Sequence, residues 1–126
     1  MGQSRLVRLL QLSDRTIHDL VCAPRAALVV ARTHCRPCLV YQREIEDLLR
    51  QGQLGDVQVG KLVLDRPGAA RFQRANPWLG SLQVLPYTVL YRDAERVEDF
   101  AAAHVGYLLQ RVQRALLDVP PEPMSF

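Results

Sequence analysis

The sequence predicts an α/β fold in which a mixed β-sheet lies between helices on both faces. Apolar segments of strand length alternate with amphipathic segments of helical length along most of the 126 residues. The last two strand signals form a hairpin, which makes two neighbouring strands antiparallel. We therefore expect the order β-α-β-α-β-α-β-β-α, arranged as a three-layer sandwich.

Length and composition fit one soluble domain. Hydrophobic residues make up 48% of the chain and charged residues 23%, which is typical of a protein that buries a core. We predict a single domain over residues 1–118, followed by a proline-rich tail over 119–126 that is expected to be disordered. The sequence does not predict the oligomeric state.

Charge and hydropathy argue against two classes of partner. The 16 Lys and Arg residues against 13 Asp and Glu residues give a net charge of +3, and the arginines are scattered, so no nucleic-acid surface is predicted. No apolar run approaches the ~18 residues that a membrane span needs. The N-terminal segment lacks a small-residue cleavage site, which predicts a cytoplasmic protein. A signal peptide that has already been removed is an alternative that the sequence leaves open.

The first half of the chain has three expected elements. A short strand is predicted over 6–12 and a short helix over 14–22, where Ser13 and Asp14 are good N-cap residues. The run "AALVVA" over 26–31 is continuously apolar and rich in β-branched residues, as in a central strand that is covered on both faces.

An amphipathic helix is expected to follow that strand and to begin near residue 35. Gly52 is a natural residue just past its end. One face of the helix carries the apolar set Cys38, Tyr41, Ile45, Leu48 and Leu49.

The second half completes the pattern. A core strand is predicted over 57–65, a short helix over 68–75 and a loop over 76–83. Residues 84–100 are expected to form a β-hairpin, and the last helix to span about 103–117. Trp78 lies in the loop and is expected to pack against the body of the domain or to line a substrate groove.

Cys35 and Cys38 lie where the predicted central strand ends and the long helix begins. Unpaired N–H groups at a helix start stabilise an anion and lower a thiol pKa from ~8.5 to within ~3.5–7.5. Cys35 is therefore the expected nucleophile, and Cys38, one turn deeper, the resolving thiol. Pro37 fits a first helical turn, while Arg36 and a protonated His34 would tune the thiolate.

A metal site is the alternative use of such a pair. Structural zinc needs four ligands, but Cys22 and the three histidines provide no second spaced pair, so no metal and no organic cofactor are predicted. Free cysteine is among the most buried residue types, and Cys22 is therefore expected in the core.

Three segments, "ALVVARTHCRPC", "VGKLVLD" and "VLPYTVLYRDAERVEDFAA", resemble the thioredoxin superfamily across about residues 5–117. The resemblance implies a thioredoxin-like fold and a cis proline that faces the cysteine pair. Pro86 matches that proline by position and context. The backbone at Leu85 would then pair with an extended segment of the substrate.

The sequence also departs from the family pattern. Thioredoxins usually read W-C-G-P-C, whereas this chain has a C-R-P-C motif preceded by His34. The buried acid found six residues before the first cysteine is replaced by Val29. Lys61 matches the lysine that approaches that acid, so it is expected to have lost its partner, and the usual proton relay is in doubt.

These features predict an enzyme, a protein-disulfide reductase-like thiol–disulfide oxidoreductase. Its substrates would be protein or small-molecule disulfides, and a separate reductase or a dithiol would recycle the pair. The alternative is a thioredoxin-fold binding or chaperone-like module for one dedicated client, with weak redox turnover. The missing acid at Val29 favours that alternative.

Overall fold

A mixed β-sheet forms the centre of the structure, a computed structural model that describes residues 8–101 and 104–117. Within these ranges the sheet has five strands in the order β1-β3-β2-β4-β5. Strands β1 and β2 run parallel to β3, whereas β4 runs antiparallel to both β2 and β5. The strands are β1 (Leu10–Gln11), β2 (Arg25–Ala31), β3 (Gln58–Val63), β4 (Tyr87–Arg92) and β5 (Glu95–Ala101).

Helices cover both faces of this sheet, so the predicted three-layer α/β architecture is confirmed. One apolar cluster joins the sheet to α2 and α4, and a second joins its other face to α1 and α3. The helices are α1 (Ile17–Val21), α2 (Arg36–Arg50), α3 (Ala70–Ala75) and α4 (Val105–Ala115), and a 3₁₀ helix spans Pro77–Ser81. Among the described residues, no helix is both long enough and apolar enough to pass through a membrane.

The central strand β2 is buried on both faces. Val29 belongs to the cluster beneath α2 and α4, whereas Leu28 and Val30 belong to the cluster beneath α1 and α3. This alternation explains why the segment reads as a continuous apolar run rather than an alternating one. Because β2 ends at Ala31 and α2 begins at Arg36, the intervening loop and the cysteine pair lie at the C-terminal edge of the sheet.

Helix α2 begins and ends where its sequence predicts. Cys35 is the N-cap residue in an extended conformation. At the other end, the backbone N–H groups of Gly52 and Gln53 donate to the carbonyls of Leu49 and Leu48, both at 3.0 Å. Gly52 has a φ of 72°, which is a left-handed conformation that glycine adopts without a steric cost.

Several predicted boundaries differ from the structure, such as the starts of α1 and β4, which lie at Ile17 and Tyr87. Among the described residues, the first strand pairs in register with β3 at Leu10 and Gln11, and the backbone N–H of Leu12 donates to the carbonyl of Lys61 at 2.9 Å. Residues 6 and 7 of its predicted range lie outside the described residues. The segment 76–83, predicted as a loop, contains the 3₁₀ helix, and the indole N–H of Trp78 donates to the side-chain carbonyl of Asn76 at 3.2 Å. The proline-rich tail predicted over 119–126 lies outside the described residues.

Candidate active site

Cys35 and Cys38 form a disulfide at the N-terminal end of α2. Their Cα atoms are 5.2 Å apart, which is within the usual range for a disulfide. The sulfur of Cys35 accepts a hydrogen bond from the backbone N–H of Cys38 at 3.2 Å. This N–H group has no carbonyl partner within the helix. It points instead at the sulfur on which negative charge would develop when the disulfide is reduced.

The two sulfurs differ in access. Cys35 is half-buried, whereas Cys38 is only 5% exposed and belongs to the inner face of α2. An incoming thiol or disulfide can therefore reach Cys35 more easily. This difference is consistent with the assignment of Cys35 as nucleophile and Cys38 as resolving thiol, which stays a prediction.

The loop before the cysteines is fixed by Asp65, which follows β3. Its carboxylate accepts hydrogen bonds from the hydroxyl and the backbone N–H of Thr33, the latter at 2.9 Å. These two bonds hold the pKa of Asp65 below its usual range. His34, which follows Thr33 in the chain, has a φ of 57°. This is a left-handed conformation that histidine adopts more often than most residues do. No local sequence pattern indicates this role, because Thr33 and Asp65 lie in different loops.

The three residues predicted to tune the thiolate lie around the disulfide. His34 and Arg36 are exposed, and neither makes a side-chain hydrogen bond or ion pair with any described residue. Pro37 lies in the first turn of α2, where its missing N–H leaves no helical bond unmade. His34 and Arg36 flank Cys35 along the chain, and their effect on the thiolate stays a prediction.

Leu85 and Pro86 lie at the start of β4, and the peptide bond between them is cis. Pro86 is buried and Leu85 is half-buried. The next residue, Tyr87, pairs with Val30 of β2, one residue before that strand ends and the loop to the cysteines begins. The structure thus brings this segment to the same edge of the sheet as the disulfide, while its contact with a substrate stays a prediction.

Lys61 has a partner that the sequence did not suggest. It lies directly beside Val29 in the register between β2 and β3, and Val29 is only 2% exposed. The ammonium of Lys61 donates to the side-chain carbonyl of Gln42 on α2. Burial and the nearby Arg66 guanidinium lower the pKa of Lys61, against an opposing effect of Glu46. Lys61 therefore has no acid at position 29, as expected, and bonds the amide of Gln42 instead.

A cavity of about 530 Å³ opens beside the disulfide. Both cysteines line it, together with side chains from β1, β3 and the loops that follow β2 and β3. Gln42 and Lys61 lie in its wall, and so does Arg66. Neither Leu85 nor Pro86 is among the lining residues. Sequence analysis did not single out Gln42 or Arg66, because only the fold brings them to the cysteines.

Cys22 is not in the core, and its predicted burial is wrong. It is an exposed free cysteine that caps the C-terminal end of α1. Its sulfur lies 3.5 Å from Nε2 of His18, one helical turn earlier. The five-residue helix buries Ile17 and Leu20, and this spacing turns position 22 towards solvent.

Trp78 is half-buried and packs onto the body of the domain. Its ring centroid lies 6.4 Å from that of Tyr87, and the guanidinium of Arg96 lies 4.0 Å from the centre of the indole ring. These contacts support the packing interpretation of Trp78. Within the described ranges, no group of three histidine, cysteine or acidic side chains is placed to hold a metal ion.

Comparison with known proteins identifies the fold. No protein-family model and no curated protein matches the chain. Thioredoxin f2 from Chlamydomonas reinhardtii matches with a TM-score of 0.70 at 20% identity, over 89% of this chain and 98% of that one. Thioredoxin from Trypanosoma brucei brucei matches with a TM-score of 0.72 at 17% identity, over 94% and 98%. Spinach chloroplast thioredoxin f, in its short form, gives 0.72 at 20% identity, over 90% and 98%. The chain therefore has the thioredoxin-like fold that its sequence predicts.

Proposed function

We propose that this protein is a thiol–disulfide oxidoreductase that exchanges the Cys35–Cys38 disulfide with disulfides of other proteins. The observation that carries the proposal is the disulfide itself, at a helix N-terminus, with the more accessible sulfur accepting the N–H of Cys38. A sulfur in this position has a larger thiolate fraction at neutral pH and is a better leaving group. The fold shared with thioredoxins supports the same class of reaction.

The reaction has two steps. The Cys35 thiolate attacks a sulfur of the substrate disulfide, so that a mixed disulfide forms and one substrate thiolate leaves. The Cys38 thiolate then attacks Cys35, which re-forms the Cys35–Cys38 bond and releases the second substrate thiolate. Two electrons pass to the substrate, and a reductase or a small dithiol must supply them again. The predicted cytoplasmic location would provide reducing partners of this kind.

A second candidate, a binding module for one client, is favoured by the absence of an acid at Val29. Val29 is buried where an acid would assist proton transfer to the resolving thiol, so turnover through Cys38 would be slow. This module would keep its client when the cysteines are replaced, because its contacts would come from the surface around Leu85 and Pro86.

Reduction of insulin by dithiothreitol separates the two candidates. We expect the wild type to accelerate the precipitation of the reduced chains and Cys35→Ser to lose that acceleration. Cys22→Ser is the matched control, since it removes an exposed thiol that lies outside the disulfide. A wild type that is no faster than dithiothreitol alone would remove the enzyme proposal and leave the binding module.

A further inference from the structure

The cavity beside the disulfide carries a charge pattern that points to the chemistry of its ligand. Its volume of about 530 Å³ is within the range of small-molecule sites, ~300–1,000 Å³. Arg32, Lys61 and Arg66 line it together with His34, whereas no lining residue is acidic. A small molecule that bears negative charge would therefore be attracted to this cavity.

Two nearby acids offset this charge in part, Asp65 at Arg32 and Glu46 at Lys61, but neither lines the cavity. Asp65 already accepts both hydrogen bonds from Thr33. Glu46 lies outside the lining, beyond Gln42, whose side-chain N–H donates to it at 3.5 Å. Burial and then Arg66 lower the pKa of Lys61 despite the opposing effect of Glu46, so the charge of this cation is not fully compensated.

The basic side chains that line the cavity have further N–H groups that can donate to a ligand. Lys61 uses one N–H on the carbonyl of Gln42, and its ammonium has two further N–H groups. Arg32 and Arg66 are exposed, and neither makes a side-chain hydrogen bond or an ion pair with a described residue. A bound carboxylate would meet three basic groups without breaking an ion pair.

The cavity also gives its ligand access to the sulfurs. Cys35 and Cys38 both lie in the wall, so a molecule held by the basic groups would be in contact with the disulfide. Leu85 and Pro86, from the β4 side of β2, are absent from the lining. The cavity is therefore a separate approach to the cysteines, from the β1 and β3 side of the sheet.

We propose that this cavity binds a small disulfide that carries carboxylate groups, and that this compound exchanges electrons with the Cys35–Cys38 pair. The inference rests on the proposed function and names a substrate class and a site for it. The Cys35 thiolate of the reduced protein attacks one sulfur of R–S–S–R, a Cys35–S–S–R bond forms, and RS⁻ leaves. Cys38 then attacks Cys35, the protein disulfide forms, and a second RS⁻ leaves. Two electrons pass to the small disulfide, and the two thiol protons end on the released thiols.

Three small disulfides of similar size test the charge dependence. They are dithiodipropionate, which is anionic, bis(hydroxyethyl) disulfide, which is neutral, and cystamine, which is cationic. The reduced protein is mixed with each compound, and the rate of its oxidation is followed by alkylation of free thiols and mass spectrometry. Each variant is compared with the wild type for the same compound, so the intrinsic reactivity of the disulfide cancels.

We expect Lys61→Met to lower the anionic-to-neutral rate ratio by about tenfold, the size of one charge-assisted hydrogen bond. The unbranched Met side chain keeps the apolar part of Lys61 beside Val29. Arg66→Gln should lower the ratio by a few-fold, and the substitution does not endanger folding because Arg66 is exposed. Added salt should reduce the preference of the wild type for the anionic compound. Arg50→Gln removes a cation at the far end of α2 and should leave the ratio unchanged.

Two outcomes would overturn the inference. One is a wild-type anionic-to-neutral rate ratio that is no higher than the ratio for a free dithiol, such as dithiothreitol, with the same two compounds. The other is a preference that survives in the Lys61→Met and Arg66→Gln variants combined. If insulin is still reduced in either case, only the small acidic substrate is wrong. If the protein reduces neither insulin nor any of the three compounds, the proposed function fails as well.

Discussion

At the scale of single residues, the candidate site depends on the unequal exposure of two sulfurs. Cys35 is reachable from solvent and Cys38 is 5% exposed. We therefore predict that Cys38→Ser, mixed with a disulfide substrate, accumulates a stable adduct on Cys35, because the resolving thiol is gone. Mass spectrometry of the digested protein locates the adduct. Cys35→Ser should form no such adduct at Cys38, and an adduct there at a similar rate would contradict the assignment.

Asp65 gives a prediction of pH dependence. Its pKa is lowered by the hydrogen bonds from Thr33, so folding favours the ionised carboxylate. The stabilisation is present above the unfolded pKa of ~3.9 and is lost as pH falls through the lower folded value. Asp65→Asn should therefore melt at a lower temperature than the wild type at neutral pH, with a gap that closes in acid. Thermal melts across this range test it, and a gap that does not change with pH would contradict the account.

Tyr41 lies on the buried face of α2, and its hydroxyl shares a hydrogen bond of 2.9 Å with the hydroxyl of Thr88. Tyr41→Phe leaves that hydroxyl unsatisfied at a residue with no exposed surface, which should cost about 1–3 kcal/mol of unfolding free energy. Urea unfolding at neutral pH measures this loss. A change near zero would mean that Thr88 finds another partner.

The same tyrosine predicts alkaline sensitivity with the opposite sign to Asp65. Burial raises the pKa of Tyr41 from its usual 10.0 to about 12, although the hydrogen bond with Thr88 lowers it in part. Its contribution to stability is complete below pH 10.0 and is lost as pH rises towards about 12. Tyr41→Phe should weaken this alkaline loss, which urea unfolding repeated at increasing alkaline pH measures.

Prediction from sequence succeeded at residues whose neighbours along the chain decide their role. Cys35 is an N-cap residue and Gly52 follows the helix end, and both roles depend on local backbone geometry. Cys22, Gln42 and Asp65 were misplaced or missed. Their surroundings depend on side chains from other elements, which no local pattern contains.

At the scale of elements, the contact of β1 with β3 leaves no room for a side chain at Gly60. A Cβ atom at this position would lie 2.6 Å from the Cδ1 atom and 2.8 Å from the Cγ atom of Leu12. Gly60→Ala should therefore destabilise the protein by about 1–3 kcal/mol through overpacking. Gly80→Ala is the matched control, because nothing lies within 4 Å of its Cβ position.

A double-mutant cycle in urea checks the mechanism. Leu12→Ala removes the clashing atoms, so the combined variant should lose less stability than the sum of the two single variants. Strictly additive losses would mean that Gly60 matters for another reason.

The order and type of the elements were predictable, whereas several of their contacts were not. Periodicity identified the strands and the longer helices, since each carries its own apolar pattern. The C-terminal end of α4 is held by arginines from the sheet: Arg25 donates to the carbonyl of Leu116 at 2.8 Å, and Arg92 to that of Ala115 at 2.7 Å. These bonds join residues that are far apart in the sequence, so no local sequence pattern predicts them.

At the scale of the whole molecule, the sheet separates two approaches to one disulfide. Strand β2 leads to the cysteines, with the Leu85–Pro86 segment on its β4 side and the basic cavity on its β3 side. A protein substrate and a small acidic disulfide could thus reach the same sulfur from different directions. The resemblance to thioredoxins predicted the first approach, and only the fold revealed the second.

The measurement that tests the central claim most directly is a redox titration of the cysteine pair. The protein is equilibrated in glutathione buffers of graded potential, free thiols are alkylated, and mass spectrometry counts them in the wild type and in Cys22→Ser. We predict that two thiols disappear together at one defined potential in both proteins, because Cys35 and Cys38 form a reversible disulfide. A redox-active pair would be contradicted if this disulfide did not form. It would also be contradicted if the wild type lost only one thiol and Cys22→Ser lost none.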